Sequence, residues 1–125
     1  MVRGLALFAV LALGACAAAA PAPAPLPDGP VTTQAQLEAV AVGRDLVAEA
    51  DGTILRISAD GSWLERRANH ITASGIWDRT ATPWCRSGRR DGALFPRLCA
   101  VVEDRAGTVT LTDPGGAPRR FRRAG

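Results

Sequence analysis

The sequence predicts an all-β fold: a small antiparallel barrel or sandwich of about eight short strands, with one short N-terminal helix. Three observations predict it. Short runs of β-type alternation recur at roughly 8–12-residue spacing through the C-terminal three quarters of the chain. Turn-forming stretches, Asp51-Gly52, Asp60-Gly61 and Asp113-Pro114-Gly115-Gly116, separate them. Cys85 and Cys99 sit where a bridge would tie neighbouring strands.

The helix comes first. Thr33-Gln34-Ala35-Gln36 fits a capping box, in which an N-cap hydroxyl and a side chain three residues on satisfy exposed amides reciprocally. Leu37, Val40 and Ala41 then share one helical face, and Gly43 supplies a left-handed terminator. The strands follow. Residues 45–50 lead to Asp51-Gly52, residues 53–58 lead to Asp60-Gly61, and residues 62–67 complete a meander. Asp-Gly between alternating runs is a strong hairpin signal, because both turn residues take positive φ. A further strand begins at Ser74, and Pro83-Trp84-Cys85-Arg86 lies in another. Residues 86–91 carry glycine and charge and read as a loop, as does Asn69-His70. Residues 98–103, 109–112 and 119–123 form the last strands. Between the final two, proline sets φ and glycine accepts the left-handed position. The expected core is Leu46, Ile54 or Leu55, Ile57, Trp63, Ile76 or Trp77, Leu98, Val101 or Val102, Val109, Leu111 and Phe121.

Ahead of this domain, Arg3 is the one charge before an apolar run over residues 5–15. A positive start, an apolar core of roughly 7–15 residues and small residues at the cut are the parts of an export signal. A membrane-spanning helix needs about 20 apolar residues, a length this run approaches only by including Ala17 to Ala20, before Pro21 stops it. Leu13-Gly14-Ala15-Cys16 resembles the lipobox of bacterial lipoproteins. The resemblance implies a signal peptide over residues 1–15, lipid attachment at Cys16 and a place in the cell envelope. Because Ala17 and not Asp follows, it implies the periplasmic face of the outer membrane. Ala15-Cys16-Ala17 also fits an ordinary A-x-A cut after Ala17, which would leave a soluble periplasmic protein. Residues 16–30 set five prolines among alanines and read as a lipidated N-terminus and extended spacer. Residues 31–125 remain as one small β domain.

Exported proteins mature where paired cysteines oxidise, so Cys85 and Cys99 are expected to form a disulfide. In a domain this small, a bridge contributing about 3 kcal/mol is a substantial share of the stability. A metal is a poor rival, with no C-x-x-C spacing and one distant histidine. The helix ending in glycine, the Asp-Gly hairpin, Gly61-Ser62-Trp63, Ser74-Gly75-x-Trp77, Trp84-Cys85 and the returning Cys99 together resemble a loose set of small exported bacterial β proteins. That resemblance spans residues 36–122 and implies the fold. A fainter one is to the eight-stranded periplasmic protease inhibitors, from which this chain departs by carrying its cysteines late.

All fifteen cationic residues are arginine, which most simply reflects a GC-rich genome, and the net charge is +3. Their placement is uneven. Residues 17–65 hold two arginines and seven acids, giving −5, whereas residues 66–125 hold twelve arginines and five acids, giving +7. Such asymmetry marks an anionic partner, here an envelope glycolipid, cell-wall polymer or acidic envelope protein and not nucleic acid. The simpler reading of Arg119-Arg120-Phe121-Arg122-Arg123 is a solvated strand around one buried phenylalanine. If a surface binds a partner, it is expected at Trp84, Arg86, Arg89, Arg90 and Arg97, with Trp63 and Trp77 left to the core. No catalytic activity, cofactor or metal is expected. The sequence lacks G-x-S-x-G and a phosphate-binding P-loop, and His70 stands alone. A paired-carboxylate glycosidase depends on spatial pairing and on a sugar cleft that so small a domain is not expected to carry. Two alternatives stand beside a non-catalytic envelope interaction or structural module. One is a periplasmic protease inhibitor, the other a small apolar-ligand-binding barrel, which needs an internal cavity.

Overall fold

The structure, a computed structural model, describes residues 26–81 and 84–124. The elements in chain order are β1 (Gly29–Pro30), α1 (Gln34–Val40), β2 (Asp45–Ala48), β3 (Ile54–Ile57) and β4 (Ser62–Arg67). Then come β5 (His70–Trp77), β6 (Trp84–Arg90), β7 (Ala93–Arg105), β8 (Thr108–Thr112) and β9 (Arg119–Arg123). From β2 to β9 each strand pairs antiparallel with the next, and β9 returns to pair with β2, so the sheet closes into an eight-stranded barrel. Strand β1 lies outside it, against Glu103 and Asp104 of β7. The lipobox, Cys16 and most of the spacer fall outside the described residues.

Because the strands alternate up and down, the connections sort onto two ends. The β3–β4, β5–β6 and β7–β8 turns share one end with α1. Thr33 caps that helix with both halves of the capping box in place, and Leu37 and Val40 are buried in the core. Gln34 donates to the carbonyl of Ala81 at 2.7 Å, and the amide of Gly43 donates to Ile57 at 2.8 Å. The helix therefore covers this end of the barrel. The β2–β3, β4–β5, β6–β7 and β8–β9 turns ring the opposite end, which no helix among the described residues covers.

Alternation decides what fills the interior. Where the sequence left two candidates, the closed sheet selects Leu55, Trp77 and Val102, while Ile76 and Val101 stay exposed on the outer face. Trp63 and Trp84 meet edge to face at 5.9 Å, with Phe95 5.8 Å from Trp63. Such pairing adds roughly 0.5–1.5 kcal/mol beyond the area buried. Gly75 and Gly88 face each other on β5 and β6. A Cβ on Gly75 would stand 1.9 Å from the Ser87 carbonyl oxygen, and one on Gly88 would stand 2.1 Å from that of Ser74. Only glycine permits that approach. The indole Nε1 of Trp63 donates to the carbonyls of Ile76 and Ser87, at 3.1 and 3.2 Å, bridging both strands at this point.

Several expectations are corrected. Residues 86–91 form no loop: the first five complete β6, and the tight turn is Asp91-Gly92, where both residues take positive φ. His70 opens β5 and does not sit in a loop. Strand β7 begins at Ala93, well before Leu98, and Gly29–Pro30 is a strand inside the stretch read as spacer. The run of β9 is not simply solvated. Arg119 and Arg123 share the inward face with Phe121, while Arg120 and Arg122 point out. The disulfide joins Cys85 and Cys99, which are direct partners on β6 and β7.

Candidate functional site

The inward arginines explain the site. A closed barrel interior is a poor place for charge unless it is paired and hydrogen-bonded. Glu65 shares the inward face of β4 with Trp63 and is 2% exposed. Arg119 donates to its Oε1 at 2.6 Å, and Arg90 lies 3.0 Å from its Oε2. Arg86, 4% exposed, holds Asp113 of the β8–β9 turn with two bonds of 2.7 and 2.9 Å. Its guanidinium also lies 4.4 Å from the Trp84 ring centre and 5.6 Å from that of Trp63. At the covered end, Arg123 pairs with Asp104 at 2.7 Å.

Around the uncovered end these groups line a cavity of about 640 Å³. Ligand sites generally measure roughly 300–1,000 Å³ and favour the mouths of β-barrels. Arg67, Arg86, Arg90 and Arg119 supply four positive charges, and Asp51, Glu65, Asp91 and Asp113 four negative ones. Half-buried Phe95 and Leu98 form the apolar part of the wall. Two bonds from Arg86, aided by the nearby charges of Arg86, Arg119 and Arg90, hold the Asp113 carboxyl below the usual range against the opposing effect of burial. Asp51 is held down to about 2, first by the amide and hydroxyl of Thr53 and then by Arg67.

No protein-family model matches the chain, nor does any curated protein or solved structure. The site must be read from its own residues.

The five residues expected to bind a partner do not share one surface. Trp84 is 1% exposed and belongs to the core, so the expectation that it meets a partner is corrected: it is the inward-facing first residue of β6. Arg86 lies at the inner wall of the mouth and Arg90 nearer its rim. Arg89 points outward and donates to the Gly92 carbonyl at 3.3 Å. Arg97 is an exposed partner of Asp78 at 3.0 Å. Only Arg86 and Arg90 enter the cavity together. The residues that sequence reasoning missed are Glu65, Phe95, Asp113 and Arg119. Two of them had a signal: counting inward from Trp63 and from Phe121 places Glu65 and Arg119 on the interior face. Among the described residues, no group of three or more His, Cys, Asp or Glu is placed to hold a metal.

Proposed function

We propose that the chain is a lipid-anchored module of the cell envelope that binds a partner and performs no catalysis. Cys16 holds it at the periplasmic face of the outer membrane, and the uncovered end of the barrel is its working surface. One observation carries the reading. The chain joins the barrel at the covered end, where the amide of Ala106 in the β7–β8 turn donates to Asp28 at 3.1 Å and β1 lies along β7. A tether entering there leaves the charged mouth at the end of the barrel opposite the point of attachment. The export signal, the lipobox resemblance and the disulfide support the envelope setting.

The apolar-carrier alternative is not favoured, because tryptophans fill the interior and the mouth is ringed by charge. The inhibitor alternative is favoured by one feature, the closed eight-stranded barrel. Photo-crosslinkers at Ala117, in the mouth, and at Ala59, in the β3–β4 turn of the covered end, test the proposal in the native envelope. Capture of an envelope component from Ala117 but not from Ala59 is expected. Capture only from Ala59 overturns the orientation, and a protease as the captured species selects the inhibitor reading.

A further inference from the structure

Building on that reading of the mouth, we propose that the cavity takes a small amphiphile whose head is an oxyanion, a carboxylate or phosphate ester. The head is held by Arg90 and Arg119, and the tail rests on Phe95 and Leu98.

Each acid of the inner wall faces an arginine, and the arginines keep donors to spare. Arg119 donates to Glu65 Oε1, Glu65 Oε2 lies 3.0 Å from Arg90 as an ion pair without a hydrogen bond, and both oxygens of Asp113 are taken by Arg86. Arg86, Arg90 and Arg119 against Glu65 and Asp113 leave one positive charge in excess. Each guanidinium carries five N–H donors in a planar fork suited to carboxylate and phosphate. Arg119 spends one on Glu65 and Arg90 is paired with it by charge, and their side chains keep 34% and 44% exposure. Donors therefore outnumber the acceptors: of the four carboxylate oxygens of Glu65 and Asp113, Glu65 Oε2 is the one without a hydrogen bond. Arg86 adds an independent mark. It is almost wholly buried in the same wall, yet its Nε has no hydrogen-bond partner. A buried donor left over in this way marks a place where a further acceptor is missing.

The remaining charges define the reach of the effect. Arg67 is engaged by Asp51 and by Thr53, and the exposed rim carboxylate of Asp91 makes the complete wall neutral. Within the cavity, attraction is therefore short-ranged and centred on the Arg90–Arg119 pair. Phe95 and Leu98 give the cavity an apolar side beside this pair, and a ligand with both halves uses both.

The test titrates the full chain with hexyl phosphate, hexanoate, hexyltrimethylammonium and inorganic phosphate, followed by backbone amide shifts. Both anionic amphiphiles are expected to bind saturably, with shifts centred on Arg90, Phe95, Asp113 and Arg119. The tighter of the two identifies the head group. Inorganic phosphate is expected to bind at least about tenfold more weakly, for want of a tail. Arg90→Gln is expected to weaken binding about tenfold, the loss of one charge-assisted contact, while Arg122→Gln, outward on β9, changes nothing. Arg90→Gln leaves Glu65 paired with Arg119, so the fold is retained. Equal binding of hexyltrimethylammonium, equal binding of bare phosphate, or identical behaviour of the two variants overturns the inference. Absence of amphiphile binding alongside a crosslink from Ala117 sinks this inference alone; loss of both sinks the reading beneath it.

Discussion

Asp113→Ala orphans Arg86, and the cost follows from where each partner lies. The Arg86 side chain is 3% exposed and that of Asp113 is 28% exposed. Removing one member of a buried pair costs roughly 3–5 kcal/mol, because the remaining charge keeps its desolvation penalty without its partner. Asp113 is reachable by water, which lets solvent replace part of the lost pairing, so the expected cost is nearer about 3 kcal/mol. A domain of this size holds roughly 5–15 kcal/mol in total. The loss appears as a fall in melting temperature of about 12–24 °C. Urea unfolding followed by the fluorescence of the buried tryptophans measures it, with an unchanged slope showing that only stability has moved. Two companions make the measurement decisive. Asp78→Ala breaks an exposed pair with Arg97, along with the bonds Asp78 accepts from Thr80, and is expected to cost clearly less than Asp113→Ala. Arg86→Met combined with Asp113→Ala removes the stranded charge and is expected to recover most of the loss. If Asp113→Ala costs no more than Asp78→Ala, or if the double variant is worse than the single, the buried charge is not what the mouth depends on.

The same physics and geometry set four further outcomes. Gly88→Ala places a Cβ against the Ser74 carbonyl oxygen and is expected to cost more than about 2 kcal/mol in urea unfolding, since backbone must move; a cost below about 0.5 would refute the close approach. Arg123→Ala strands Asp104, which is 2% exposed, and should cost about 3 kcal/mol, whereas Asp104→Leu with Arg123→Leu should stay within about 1 of the starting protein. Asp51 and Asp113 have depressed folded pKa values, so their stabilisation is complete above the unfolded value of about 3.9 and is lost as pH falls through the folded one. Stability measured between pH 5 and pH 2 (a range of about 3 units) should therefore fall toward acid, less steeply in Asp113→Ala. Reducing the Cys85–Cys99 bridge should lower stability by about 3 kcal/mol, read from unfolding with and without reductant.

Much of the barrel was legible because its strands have one wet and one dry face. Period-two alternation around Leu46, Ile57, Trp63, Val109 and Phe121 placed five strands, and every one of these side chains is buried. The loop read into residues 86–91 failed for a physical reason. Gly88 and the surrounding arginines look like turn chemistry, but the glycine serves a close strand approach and Arg86 and Arg90 serve interior acids. The Asp-Gly signals were right about the turns and wrong about their mechanism. Asp51 and Asp60 accept from amides two residues on, while positive φ at both residues occurs at Asp91-Gly92 and Ala106-Gly107. The mouth was the least legible part. Arg119 finds Glu65 54 residues away only because β9 returns to β2, and Arg86 finds Asp113 27 residues away through the β6–β7–β8 pairing. Charge counted along the chain showed a basic half; closure of the sheet turned Arg90 and Arg119 inward against Glu65 of the other half, while Arg86 and Arg123 meet acids of their own half.

We propose that the barrel stands at the end of a lipid tether, in a compartment where thiols oxidise. Intact-mass spectrometry of the protein recovered from the membrane fraction tests that most directly. The expected mass is that of a chain beginning at an acylated Cys16, two hydrogens light for the Cys85–Cys99 bridge. A chain retaining Met1 in the soluble fraction, with both of those thiols free, would contradict it.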